Sequence, residues 1–231
     1  MRWGKNLWLT IWTGLSAAMM IVALYLALAG APDANLQSET GRYAQRIIYF
    51  HIPTAWVGFL AFLVTFIAGV AYLRNQRSQW DMVALSSAEI GTLFMLGVLV
   101  SGSIWARPAW GVWWVWDERL TISLIQFLVY AGYLMLRSSV EDPARRARFA
   151  AVYGIVAFIS VPINFAAIRL WRTQHPLMFG NPEGGLGPNM RFVFFFCLIA
   201  FTIWYVTLMA HRLRLERMRD EVERLRQSVL S

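Results

Sequence analysis

Cysteine is nearly absent. Cys197 stands alone in an apolar run, which excludes an intrachain disulfide framework and any Cys-x-x-Cys redox pair. Charge is scarce as well. Only 15% of the 231 residues are charged and 58% are hydrophobic, against roughly 25% and 45–50% in soluble domains. With a mean hydropathy of +0.48, the chain reads as an integral membrane protein. No Gly-x-x-x-x-Gly-Lys-Ser/Thr loop occurs, so nucleotide chemistry belongs to another chain. Internal repeats and low-complexity tracts are missing too. The formal charge of +8 is carried by arginines that cap apolar segments instead of lining one face. That pattern sets membrane topology and argues against nucleic acid as a partner.

What is present is a series of apolar runs. Six of them reach the roughly 17–25 residues needed to cross a bilayer, at about 7–29, 51–73, 83–105, 120–136, 149–169 and 191–210. Lipid offers no partner for a backbone amide, so each must be helical. The fold class is therefore all-α, with residues 1–210 a six-helix transmembrane domain and 211–231 a cytoplasmic amphipathic C-terminal helix with Met218, Val222, Leu225 and Val229 on its apolar face. That tail is suited to the inner leaflet or to a partner. The first run, Leu7 to Ala29, exceeds the roughly 7–15 residues of a signal-peptide core and is read as a retained helix. An even number of spans puts both termini on one side. Fourteen Lys and Arg residues fall on that side, in the N-terminus, the 2–3 and 4–5 loops and the tail, and seven on the other. The richer side is expected to be cytoplasmic.

Between the third and fourth runs, in the loop at 106–119, Trp110, Trp113, Trp114 and Trp116 fall within seven residues, interleaved with Gly111, Val112 and Val115 and closed by Asp117, Glu118 and Arg119. One reading is an aromatic belt at the headgroups. The other is a flat platform for a flat apolar ligand, favoured because a belt needs only one or two rings per helix end. By the charge count this loop faces outward. So do His51, two residues before Pro53 in what reads as a helix's first turn, and His175 in the 5–6 loop, whereas His211 lies at the inner end of the sixth helix. Pro162 is expected to kink the fifth helix, and the Gly- and Pro-rich run 180–188 reads as a turn-rich loop. Glu89 is the one acid well inside an apolar run, expected to be protonated or internally paired.

A planar macrocycle with a metal centre would use the outer groups together. Two neutral imidazoles, His51 and His175, can bind iron from opposite faces. Tryptophans can pack on the ring, and Arg119 and Arg46 can take its carboxylates as planar forks. Asp117 reads as a structural residue that holds the tryptophan loop. No general acid or nucleophile stands out, so a handling role fits better than catalysis. Three rivals remain at this point: a bis-His membrane electron carrier, a scaffold whose aromatic loop docks only proteins, and a transmembrane channel for the macrocycle, for which the inner half offers only Glu89 as a polar lining candidate.

The run WGVWWVWD followed by ERLT (110–121), with FHIP at 50–53, resembles the signature of the WWD haem-handling family, and length and helix number resemble its haem exporter C (CcmC) branch. The resemblance spans the chain through the sixth helix. It implies haem b held transiently between His51 and His175 as axial ligands, against Trp110, Gly111, Trp113, Trp114, Trp116 and Asp117, with Arg119 alongside. It further implies a place in the cell inner membrane with the haem site facing the periplasm. The implied partners are the haem chaperone CcmE, the ABC transporter subunits CcmA and CcmB, and the small CcmD.

Overall fold

Six helical stretches of the computed structural model are long and apolar enough to cross a bilayer: Leu7–Gly30, Gln45–Asn75, Ser78–Trp110, Glu118–Ser139, Pro143–Ala167 and Pro188–Val229. Each overlaps one expected span. Residues 3–31, 43–171 and 186–230 are described, and among them no strand occurs. α1 (Trp3–Tyr25) runs into a π-helical turn, Leu26–Gly30. A 3-10 turn, Gln45–Ile47, leads into α2 (Ile48–Asn75), followed by α3 (Ser78–Trp110), α4 (Glu118–Ser139), α5 (Pro143–Ala157), α6 (Ser160–Leu170) and α7 (Pro188–Leu230).

Two expectations change. The early start of α2 places Pro53 inside the helix instead of at its first turn, where it leaves the Tyr49 carbonyl without its usual intrahelical donor. The sixth span and the charged tail are also continuous, forming one helix of 43 residues. Nothing in 211–230 breaks a helix, so backbone bonding carries on after the apolar run ends. The fifth span does break. Residues 158–159 form a turn between α5 and α6, four and three positions before Pro162, whose ring displaces the carbonyl of residue 158 and removes one ladder bond.

Contacts between helices show antiparallel neighbours. His211 Nε2 lies 2.7 Å from Thr13 Oγ1, and Cys197 Sγ 3.8 Å from Ala23 O, pairing α7 with α1. Ser87 Oγ donates to Ala61 O at 2.7 Å, and Ser101 meets His51, pairing α3 with α2. Close approach depends on small residues: a Cβ at Gly91 would stand 2.7 Å from the Phe62 ring. Cys197 is buried.

The inward face of α4 is polar from end to end. Arg119, Ser123, Gln126, Tyr130, Tyr133 and Arg137 recur every three or four residues, on a single helical stripe. Gln126, Tyr130 and Tyr133 are wholly buried. The stripe ends in a paired charge: Arg137 Nη1 and Nη2 donate to Asp81 Oδ1 and Oδ2 at 2.5 and 2.8 Å. Nearby, Arg212 donates to both oxygens of Glu89, at 2.5 and 2.9 Å, and also to Glu216. Glu89 is thus an internally paired acid, and its partner comes from α7.

Candidate functional site

The tryptophan loop is positioned by the end of α3 and the start of α4. Gly111 stops α3 in the left-handed region at φ 79°, which costs glycine nothing and a side chain about 1–2 kcal/mol. Its N–H bonds to Arg107 O at 3.0 Å, and the Arg107 guanidinium returns to the Gly111 carbonyl. At the other end, Asp117 Oδ1 accepts from Leu120 N at 2.8 Å as the N-cap of α4. Asp117 therefore holds the loop by starting a helix.

Between these ends and the first turns of α2 lies a cavity of about 880 Å³, counted with the open space at its mouth. Its walls are mostly apolar. Trp105, Trp110 and Trp114 are among the lining residues, and His51, Arg119 and Asn164 bring polar groups to it. Trp105 and Trp110 meet edge to face with centroids 5.1 Å apart, and Trp114 and Trp116 at 5.7 Å. The Trp114 indole N–H is buried with no acceptor among the described residues, so a donor is held ready beside the cavity. Asn164 Nδ2 donates to Ser123 Oγ at 3.0 Å and to Gln126 Oε1 at 2.9 Å, tying α6 to the stripe of α4.

His51 reaches the cavity from α2. Its Nδ1 lies 2.9 Å from Ser101 Oγ, and Gly102 leaves room beside the ring, since a Cβ there would stand 3.3 Å from His51 Cε1.

The expected set divides. His51, Trp110, Trp114 and Arg119 share the cavity wall. Trp113 and Trp116 are outside it and exposed, at 60% and 77%. Arg46 does not line the cavity: its guanidinium donates to the Leu28 carbonyl in the π-helical turn of α1 and stacks over Tyr43 at 5.8 Å. His175 lies outside the described residues. His211 is at the opposite end of the bundle, bonded to Thr13. Sequence reasoning missed Trp105, Ser101, Ser123 and Asn164. The polar spacing along α4 was the available signal for Ser123; the others become neighbours only through packing.

A family model described as heme exporter protein C matches residues 1–228. The chain is 36% identical over 214 residues to a Heme exporter protein C of Bradyrhizobium diazoefficiens, covering 90% of this chain and 80% of that one. It is 34% identical over 154 residues to a putative cytochrome c biosynthesis ccmC-like mitochondrial protein of Marchantia polymorpha, covering 67% and 63%. A Heme exporter protein C of Escherichia coli strain K12 is 27% identical over 209 residues, covering 90% and 83%.

Proposed function

Because the chain belongs to the heme exporter protein C family, which handles haem for cytochrome c maturation, we propose that the cavity beneath the tryptophan loop is where this protein holds haem for transfer. In this reading His51 supplies one axial imidazole and His175 the other. Trp105, Trp110 and Trp114 pack against the porphyrin. Arg119 takes a propionate as a charge-assisted pair, and the buried Trp114 N–H offers that carboxylate a further donor.

The excess of basic residues on the opposite side supports a cavity at the periplasmic face of the inner membrane. The cavity is open at its mouth, so a bound macrocycle keeps one edge accessible. That edge is presented to the haem chaperone CcmE. CcmA and CcmB form the ABC transporter whose ATP hydrolysis releases the loaded chaperone, with CcmD completing the complex. The contribution of this chain is to hold and orient, which favours reaction by proximity.

The observation that carries the reading is the convergence of an imidazole, a guanidinium and three indoles on one apolar cavity. Detergent-purified protein should show the absorption of low-spin haem. His51→Ala and His175→Ala should each lose most of it, while His211→Ala, altered only where α7 meets α1, keeps it. Equal haem content in all three variants rules the assignment out.

A further inference from the structure

We infer that Ser101 is the positioning residue for His51: it holds the imidazole as the Nδ1–H tautomer, so that Nε2 is the nitrogen able to bind iron. The inference rests on the haem-binding reading for its consequence but on hydrogen-bond geometry for its substance.

Ser101 Oγ lies 2.7 Å from Gly97 O, 3.3 Å from Val98 O and 2.9 Å from His51 Nδ1. A serine hydroxyl has one proton to give. The two carbonyls can only accept, whereas Nδ1 can donate or accept according to tautomer. Were the hydroxyl proton given to Nδ1, two oxygen lone pairs would face each other across 2.7 Å between Ser101 and Gly97. With the proton on the Gly97 side, the serine oxygen is left as an acceptor, and only an Nδ1–H can fill the 2.9 Å contact. A neutral imidazole then carries its lone pair on Nε2. Free imidazole side chains in water favour the proton on Nε2, so the protein must impose the other form, and a partner on Nδ1 is the usual device for orienting a ligating histidine. Gly102 completes the seat: a Cβ there would stand 3.3 Å from His51 Cε1, a tight contact that the missing side chain avoids. Ser101 and Gly102 are consecutive on α3, so a single turn of one helix both bonds and accommodates a ring carried by another.

The chain has three histidines, few enough for nitrogen NMR of the full-length protein, labelled with 15N-histidine in lipid nanodiscs, with His51→Ala providing the assignment. In haem-free protein at a pH where the ring is neutral, His51 should be protonated at Nδ1. Ser101→Ala should move it toward the Nε2–H form, and Ser101→Thr, which keeps the hydroxyl, should restore it. In haem-loaded protein, Ser101→Ala should weaken haem retention about tenfold, in line with the loss of an outer-shell partner, and raise the haem midpoint potential, because the bond to Nδ1–H makes the ligand more basic. Neither change should occur on a His51→Ala background. A wild-type ring protonated at Nε2, or a Ser101→Ala spectrum identical to wild type, overturns the inference and leaves the haem-binding reading standing. An Nδ1–H ring combined with haem content indifferent to His51→Ala overturns the haem-binding reading and with it the ligand role given to Nε2. The wild-type spectrum decides the tautomer even if Ser101→Ala does not fold.

Discussion

The two ends of the bundle use their charged side chains in opposite ways. Away from the tryptophans, acids and bases satisfy one another: Asp81 with Arg137, and Glu89 and Glu216 with Arg212. A second space there, about 2040 Å³ with its opening, is walled by Asp81, Glu89, Arg137 and Glu216 together with Arg146, Arg219, Asp220 and Glu223. At the tryptophan end the acid of the motif, Asp117, caps a helix, and the arginine two residues on turns to an apolar cavity. Groups that neutralise each other hold helices together. A guanidinium, an indole N–H and an imidazole gathered on an apolar wall, with no acid among the described residues that line it although Asp117 lies close enough to act on Arg119, offer groups that can receive an anionic guest. The difference teaches that a charge within a membrane protein must be read by its partner, not by its depth.

That contrast is open to measurement. The largest effect is expected at the paired end. Asp81→Ala leaves Arg137, only 8% exposed, without its carboxylate and should cost about 3–5 kcal/mol, as breaking a buried pair does, in thermal unfolding of the detergent-solubilised protein. The Asp81→Ala, Arg137→Met double variant should recover most of it. A loss below about 1 kcal/mol, typical of surface pairs, would erase the distinction between the ends.

At the cavity, Arg119→Leu should leave stability nearly unchanged but speed haem release by roughly 10–100-fold, the worth of about 1.5–3 kcal/mol for a hydrogen bond to a charged group. Trp114→Phe keeps an aromatic ring and gives up the N–H, so release should quicken by about fivefold, one ordinary hydrogen bond. An Arg119→Leu variant that unfolds early while retaining haem would make that residue structural, like its counterparts at the other end.

The smallest effect is expected midway. The Tyr130 hydroxyl is buried without a partner among the described residues, and its ring stacks on Phe62 with centroids 3.4 Å apart. Tyr130→Phe should leave the unfolding temperature the same or slightly higher, since removing an unsatisfied polar atom relieves a desolvation cost. A drop of more than about 1 kcal/mol would reveal a hydrogen bond at that hydroxyl, and with it a polar connection between the two ends along α4.

Much of this was legible beforehand, and the reason is physical in each case. Apolar run length located all six helices because hydrocarbon thickness fixes how many residues cross it. The ends were harder: α2 begins at Ile48 and α7 runs to Leu230, because helices do not stop where hydrophobicity stops but where a cap or a breaker stands. Gly111 and Asp117 are such punctuation. Arg46 illustrates the opposite case. Five residues before His51, it reads as a companion of the ligand site, yet the π-helical turn of α1 presents a carbonyl that takes its guanidinium.

The amino-acid order by itself determined that this chain carries six segments long and apolar enough to cross a membrane, that an indole-rich stretch lies between the third and fourth, and that His51 and His211 belong to opposite ends. Those properties are written along single segments, in run length, composition and charge. Only the tertiary structure decided that Ser101 and Gly102 seat the His51 ring, that Trp105 and Asn164 join the cavity, and that Glu89 is answered by Arg212. Such pairings depend on the register between helices, and that register is set by how small and large side chains interlock across the interface, not by spacing within either helix.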